Sequence, residues 1–235
     1  MAKPYRDFSD FLAEHFSGKI QKISINAGFT CPNRDGTVGT GGCTYCNNQT
    51  FNPSYCTPTL TVTQQLEEGK RFFARKYPEM RYLAYFQAYT NTYGDVERLR
   101  ALYEEALAVD GVVGLIIGTR PDCMPDVLLD YLESLSRRCF VLVEYGAETS
   151  HNSTLALINR CHTWEQTVDA VTRTVARGIH VGLHFIMGLP GETVDMMLQS
   201  VDALSRLPVD TVKFHQLQII RGTRLARDIE KGLYD

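Results

Sequence analysis

Three cysteines lie close together in the stretch CPNRDGTVGTGGCTYC, which covers residues 31–46. Cys43 and Cys46 form a C-x-x-C pair, and eleven residues separate Cys31 from Cys43. Thiolates at such spacings bind zinc or an iron–sulfur cluster, and a C-x-x-C pair also serves thiol–disulfide exchange. The same stretch is rich in glycine, which allows it to fold tightly around an inorganic group.

Three interpretations of these cysteines stay open on the residues alone. A structural zinc site needs a fourth ligand, and Cys56 is the obvious one. A redox pair needs its C-x-x-C at a helix N-terminus, as in thioredoxin. An iron–sulfur cluster on three thiolates would leave one iron open to a further ligand. With zinc the loop would only stabilise the fold, whereas with an iron–sulfur cluster it would be a reactive centre.

The elements that must position the cysteines alternate between short apolar runs and amphipathic stretches. Six strands are predicted, at residues 19–26, 81–87, 112–118, 139–145, 179–187 and 211–219. Helices are predicted at about 61–77, 95–109, 125–137, 164–177, 192–206 and 223–232. Capping boxes at Thr61-x-x-Gln64 and Thr163-x-x-Gln166 support two of the helix starts. This alternation predicts βαβ crossovers and a parallel sheet.

Polar side chains recur on one face of these strands. His180 and His184 share one face of strand 179–187, whereas Val181 and Leu183 share the other. An open sheet with helices on both faces would have strands that are apolar throughout. Because outer helices cover the apolar face, the polar set should point inward. It comprises Ser24, Asn26, Gln87, Glu144, His184, Lys213 and His215.

The alternation therefore favours a barrel over an open doubly wound sheet. A closed eight-stranded barrel fills its interior with aliphatic side chains, so a polar interior indicates an incompletely closed barrel around a ligand. The alternative is that some strand registers are wrong by one residue, which would exchange the two faces. The predicted fold is α/β, a partial (β/α)6 TIM-like barrel with the cysteine loop at the C-terminal ends of the strands, where active sites lie.

Composition narrows the class of protein. A chain of 235 residues with 44% hydrophobic and 22% charged residues predicts one globular domain. The net charge of −3 excludes a global basic field for nucleic acid. No signal peptide and no apolar run of membrane-spanning length is present, so a cytoplasmic location without membrane attachment is predicted. Cysteines stay reduced there, which favours metal binding or catalysis over disulfides.

The longer stretch NAGFTCPNRDGTVGTGGCTYCNNQTF resembles the radical S-adenosylmethionine (SAM) superfamily, and within it the YhcC/YtqA-type family, a relative of the elongator catalytic subunit. The resemblance extends over YFQAYTNTYG (85–94), GTRPDC (118–123), VEYGAETSHNSTLALINRCHT (143–163), HFIMGLPGET (184–193) and KFHQLQIIRGTRLA (213–226). The usual superfamily spacing has three residues between the first two cysteines. The eleven found here match this one branch.

The resemblance implies a radical SAM enzyme with the partial barrel of that superfamily. It implies that Cys31, Cys43 and Cys46 hold a [4Fe–4S] cluster and that the amine and carboxylate of SAM chelate the fourth iron. Reductive cleavage of SAM would then yield a 5′-deoxyadenosyl radical that abstracts hydrogen from the substrate. An external electron donor of the flavodoxin or ferredoxin type is also implied.

The resemblance also implies where SAM binds. Residues after the second strand should grip the methionine amine, although the common Gly-Gly-Glu is absent here. Carboxylates of the fourth strand should meet the ribose or the ammonium group, an arginine the SAM carboxylate, and the fifth strand the adenine. These cofactor-binding candidates are Gln87, Thr90, Asn91, Glu144, Glu148, Arg160, Ile186, Met187 and Gly188. The strand register, rather than the resemblance, adds His184, Lys213 and His215 as substrate-facing candidates.

Each of these roles has a purely structural alternative. Glu144 could form a buried ion pair with Arg120 or Lys213, Arg160 a surface ion pair, and the two histidines could be neutral core residues. Cys123, Cys139 and Cys161 are interpreted as small hydrophobes. The turn Gly-Leu-Pro-Gly is common between a strand and a helix.

The kinship with the elongator subunit suggests tRNA as partner and a modified wobble uridine as substrate. Radical chemistry on a small molecule or peptide, and a noncatalytic binding domain stabilised by zinc or a cluster, are the alternatives. The chain is expected to form a single radical SAM core domain over residues 1–235, with the cluster loop at 27–60. Members of the family continue further, so a C-terminal segment is expected to be missing.

Overall fold

The computed structural model describes residues 3–47, 50, 52–74 and 79–234. Its centre is a sheet of six parallel strands that pair in sequence order. The strands are β1 Lys19–Ile25, β2 Met80–Phe86, β3 Val112–Thr119, β4 Phe140–Glu148, β5 His180–Met187 and β6 Thr211–Gln216. Because consecutive parallel strands are neighbours, every crossover runs in the same direction and the sheet curls into a half-barrel. The predicted partial (β/α)6 barrel is confirmed.

All six predicted helices are present, together with two that the sequence patterns did not indicate. The helices are α1 Phe8–His15, α2 Val62–Ala74, α3 Val96–Leu107, α4 Asp126–Ser136, α5 Asn152–Leu157, α6 Trp164–Val175, α7 Val194–Ser205 and α8 Arg224–Glu230. Residues 75–77, the end of the first predicted helix, lie outside the described residues. Both predicted capping boxes form, at Thr61 and Thr163.

The unexpected helix α1 fills the lower half of the barrel. Its Asp7 cap accepts backbone hydrogen bonds in a capping box, and Phe11 and Leu12 are buried against inner-face residues of β2 and β4, including Leu83 and Leu142. The predicted polar interior is therefore wrong for this half, which is apolar. His180 is a polar exception, packed against Phe11 and His15. The predicted polar inner residues Glu144 and His184 lie toward the C-terminal ends of the strands, where they line a cavity.

The ends of two strands differ from the prediction. β4 continues to Glu148, with a register irregularity between Gly146 and Glu148 where it pairs with β5. β6 ends at Gln216 rather than at residue 219, although the amide of Leu217 still donates to the Met187 carbonyl (3.0 Å). The bulge in β4 carries Glu148 to the mouth of the barrel with a φ of 68°.

The outer helices bury the apolar face of β1 to β5 in one core. Leu66 of α2, Leu99 of α3, Leu128 of α4 and Val171 of α6 are fully buried in it. β6 departs from the predicted pattern, because Phe214 on its outer face is 51% exposed. Among the described residues, no helix is both long and apolar enough to cross a membrane.

Candidate functional site

The cysteine loop after β1 folds as a compact unit. The amides of Arg34 and Asp35 both donate to the Cys31 carbonyl, at 2.8 and 3.2 Å, and the Gly42 amide donates to the Asn33 carbonyl at 2.8 Å. Gly42 has a φ of 76°, in the left-handed region that favours glycine. These short-range bonds close the eleven-residue gap, so the gap brings Cys31 to the same side of the loop as the C-x-x-C pair.

Asn33, for which the sequence suggested no role, anchors this loop. Its side chain is fully buried, its amide donates to the Asn159 carbonyl, and the amide nitrogen lies 3.7 Å from Cys43 Sγ. The Thr44 amide also donates to the Ile158 carbonyl at 2.9 Å. Both bonds tie the cysteine loop to the segment that follows α5.

Cys31, Cys43 and Cys46 line one cavity of about 220 Å³ at the C-terminal ends of the strands. Cys56 does not line it; this thiol is buried at 4% exposure, and burial raises its pKa to about 11. Within residues 3–47, 50, 52–74 and 79–234, no three Cys, His, Asp or Glu side chains are grouped closely enough for one metal ion. Two thiolates on one zinc lie at most about 4.6 Å apart. An iron–sulfur cluster takes one thiolate on each of its irons, and all three thiols border this one cavity.

Arg160 is buried in the wall of this cavity. Its Nη2 donates to the Gly146 carbonyl at 2.7 Å and lies 3.3 Å from Glu148 Oε1, while Nη1 lies 3.7 Å from Cys43 Sγ. Burial opposes its charge, but Cys43 and Glu148 raise the pKa of the guanidinium well above its ordinary value. Its Nε has no hydrogen-bond partner among the described residues. At 6% exposure, Arg160 does not form the surface ion pair considered above.

Glu144 lies at the inner end of the same cavity. It accepts from His184 Nε2 at 2.9 Å and from the Tyr85 hydroxyl, and Lys22 Nζ lies 3.9 Å away. Burial works against the charge, but His184 and Lys22 together lower the pKa of Glu144 to about 2. The alternative considered for Glu144, a buried ion pair, therefore forms, but its partners are His184 and Lys22 rather than Arg120 or Lys213.

His215 lies beside this pair, with its ring 5.2 Å from that of His184. Burial, with help from Lys213, lowers the pKa of His215 to about 4. This imidazole is therefore neutral near pH 7 and is available as an acceptor or donor toward a bound molecule.

Replacing Glu144 by Gln should destabilise the protein at pH 7 by about 1–3 kcal/mol, because Lys22 and His184 lose a buried acceptor charge. The folded-state pKa lies below the ordinary value of 4.5, so the contribution of Glu144 is fully present above about pH 4.5. It is lost as the pH falls toward about 2. Urea denaturation at pH 7 and near pH 3 should show the gap between wild type and Glu144→Gln closing. A gap of constant size would contradict the ionised carboxylate.

A second cavity of about 490 Å³ adjoins the first. Its apolar wall includes Ile186, Phe214, Leu217 and Ile220. Residues that line both cavities are Tyr45, Cys46, Glu148, His184 and His215. Together the cavities fall in the range of about 300–1,000 Å³ that is typical of sites for cofactor-sized molecules.

The structure brings most of the predicted residues together. The first cavity is lined by Cys31, Cys43, Cys46, Gln87, Thr90, Glu144, Glu148, Arg160, His184, Lys213 and His215, and the second by Ile186. Asn91, Met187 and Gly188 line neither. The Asn91 side chain is fully buried and donates to the Gly118 carbonyl at 2.7 Å, and the Met187 carbonyl accepts from Leu217.

Sequence reasoning missed several cavity residues, and Tyr85, Arg120 and Arg34 are three of them. Tyr85 precedes Gln87 by two positions on β2 and therefore shares its inward face, a signal that was available. Arg120 follows β3 directly, at the end of the barrel where active sites lie. Arg34 belongs to the cysteine loop, and no periodicity or spacing indicates the direction of its side chain.

Comparisons with known proteins agree with this geometry. The sequence matches the model of the radical SAM superfamily over residues 30–204. It is 42% identical to YtqA of Bacillus subtilis over 230 residues, which is 98% of this chain and 71% of YtqA. It is 30% identical over 125 residues to a tRNA uridine(34) acetyltransferase of Methanocaldococcus jannaschii, covering 52% of this chain and 23% of that protein.

The fold is also similar to a solved structure. The archaeal Elp3 of Methanocaldococcus infernus superimposes with a TM-score of 0.68 at 18% identity, over 92% of this chain and 50% of that one. At this identity the likeness concerns the fold, and the family rests on the sequence matches. The chain belongs to the radical SAM superfamily and, within it, to the family of YtqA.

Proposed function

We propose that this radical SAM enzyme holds its [4Fe–4S] cluster on Cys31, Cys43 and Cys46, binds SAM across the two adjoining cavities, and modifies a uridine in tRNA. One observation carries the site assignment: three cysteines, and no fourth among the described residues, line a cavity that opens into a second, larger one. Three thiolates leave one iron for the SAM ligand, whereas four would close the cluster.

The methionyl end of SAM fits the first cavity. Arg160 offers a buried cation for the carboxylate, and its Nε is free of protein partners among the described residues. Glu148, 3.3 Å from that arginine, offers an acceptor for the ammonium group or the ribose hydroxyls. Gln87 is held by a hydrogen bond from Ser24 (2.9 Å), which orients its amide toward the same space.

The adenine ring fits the second cavity. Ile186 and Leu217 supply apolar surface for a flat ring, and Tyr45 stands between the two cavities. Met187 and Gly188 would contribute only as backbone neighbours of this wall. Glu148, His184 and His215 line both cavities, so they would face the middle part of a bound SAM.

When bound, the cluster and SAM supply the reductive cleavage that yields methionine and a 5′-deoxyadenosyl radical. The protein supplies position and exclusion of water. Glu144, His184 and Tyr85 form a hydrogen-bonded set on the inner side of the cavity, so they would orient polar groups of the substrate. His215, neutral near pH 7, adds a hydrogen-bonding group on the same side.

The tRNA substrate is supported by two observations. A relative at partial coverage is a tRNA uridine(34) acetyltransferase. In addition, α8 packs beside the cysteine loop through the Leu225 amide, which donates to the Thr44 carbonyl at 2.8 Å. This helix and its preceding turn present the exposed cations Arg221, Arg224 and Arg227, of which Arg224 pairs with Asp228, and exposed arginines suit phosphate groups.

A comparison of tRNA nucleosides by mass spectrometry tests this substrate. We expect a strain lacking the gene to lose one modified uridine or to accumulate its precursor. The wild-type gene should restore it, and a matched gene encoding Cys43→Ala should not. An unchanged nucleoside profile would count against tRNA and direct the search to a small molecule or peptide, without affecting the cluster assignment.

A further inference from the structure

Arg120, in the segment GTRPDC after β3, is one of the most deeply buried charged side chains. Its side chain is 2% exposed and forms a bidentate salt bridge with Asp122. Nε donates to Oδ1 at 2.9 Å and Nη2 donates to Oδ2 at 2.8 Å. Asp122 is itself buried, at 8% side-chain exposure. The carboxylate therefore both neutralises the guanidinium and holds it in one orientation.

The remaining edge of this guanidinium faces the first cluster cysteine. Arg120 Nη1 lies 3.9 Å from Cys31 Sγ, and Nη2 also donates to the Cys161 carbonyl at 3.4 Å. Desolvating a guanidinium is costly, so a buried one needs a partner for each of its donors. Two edges have oxygen acceptors, and the sulfur is the partner of the third.

The other two cysteines each have an arginine as well. Arg160 Nη1 lies 3.7 Å from Cys43 Sγ. Arg34 bonds to Cys46, with Nη2 donating to its carbonyl at 3.2 Å. These three arginines come from the cysteine loop, from the end of β3 and from the segment after α5, so no local sequence pattern produces the pairing.

We propose that Arg120, held by Asp122, donates from Nη1 to the Cys31 thiolate and thereby raises the reduction potential of the cluster. This inference rests on the proposed function, because it takes Cys31 to be a cluster ligand. Hydrogen bonds and positive charge at the ligand sulfurs stabilise the reduced cluster, which carries one more negative charge. Arg120 is thus a tuning residue that acts through Cys31, whereas Arg160 also faces the SAM site.

The test is a redox titration of the anaerobically reconstituted protein without SAM, followed by the EPR signal of the reduced cluster. Dithionite supplies the single electron through mediator dyes. In Arg120→Gln we expect the ratio of reduced to oxidised cluster at fixed potential to fall about tenfold, a negative shift of about 59 mV for one electron. Arg120→Lys keeps the positive charge but loses the planar guanidinium, so its reduction potential should lie between those of Arg120→Gln and wild type.

Asp122→Asn loosens the hold on Arg120 but also removes a negative charge beside the cluster. These two effects on the potential oppose each other, so the potential of this variant should lie above that of Arg120→Gln. Arg137→Gln is the matched control, because this arginine, the C-cap of α4, is 75% exposed and pairs with Glu133, and its loss should leave the potential unchanged.

The outcomes separate the two proposals. If Arg120→Gln holds a normal cluster with the wild-type potential, the tuning role is overturned while the cluster site stands. If the Gln variant holds no cluster, Arg120→Lys decides, and a potential equal to that of wild type overturns the role of the Nη1 hydrogen bond. A wild-type protein that assembles no iron–sulfur cluster would instead overturn the proposed function.

Discussion

Alanine at any one of Cys31, Cys43 and Cys46 is expected to abolish the cluster and all cleavage of SAM, whereas Cys56→Ala should retain both. Each of the three thiols lines the same cavity, and a cluster with only two protein thiolates would be left open at two irons. Cys56 is buried elsewhere and has a pKa raised to about 11, so its thiolate is not available at neutral pH.

Iron and sulfide analysis of the four reconstituted variants measures this difference. Cys56→Ala is the matched control, since it removes a buried thiol from the same 27–60 loop. If it lost the metal together with the other three, the site would be four-coordinate and closed, as a structural zinc site is.

Arg160→Ala is expected to weaken SAM binding by at least about tenfold. Truncating one partner of a buried charge pair costs about 2–5 kcal/mol, and here the change also leaves Glu148 without its cation. Arg160→Lys keeps the positive charge but lacks the planar guanidinium, so it should retain part of the affinity for SAM. Equilibrium binding of SAM to the anaerobic holoprotein gives the three dissociation constants.

Thermal unfolding of the same proteins controls for misfolding, since Arg160 also donates to the Gly146 carbonyl. If the Arg160→Ala variant folds, holds its cluster and binds SAM as tightly as wild type, Arg160 does not contribute to SAM binding.

The strands and outer helices were predictable because their periodicity is strong. Buried aliphatic residues such as Leu115 and Val143 alternate with inward-facing ones, and Thr163 and Gln166 mark a helix start through local hydrogen bonds. Helix α1 could not be predicted in this way, because its eight residues are too few to show a clear helical periodicity of apolar side chains. Its burial inside the barrel is a tertiary effect, and it reversed the predicted polarity of the lower interior.

Some residues of the candidate site could likewise be predicted from the sequence, and others could not. Glu144 and His184 were predictable as inward-facing polar residues, and the structure adds that they bond to each other. Asn33 and Arg120 depend on partners far away in the sequence, namely Asn159 and Cys31, and no spacing rule connects such pairs. The resemblance implied Asn91 through its place after β2, but its side-chain amide donates to the Gly118 carbonyl instead, and Asn91 does not line the cavity.

Formation of 5′-deoxyadenosine tests the central claim most directly. The protein should be reconstituted anaerobically to about four irons per chain, reduced with dithionite and supplied with SAM, with Cys43→Ala treated identically. We predict 5′-deoxyadenosine from the wild type and none from the variant. A colourless wild type with one zinc per chain, and no more 5′-deoxyadenosine than the variant, would contradict a radical SAM site at these cysteines.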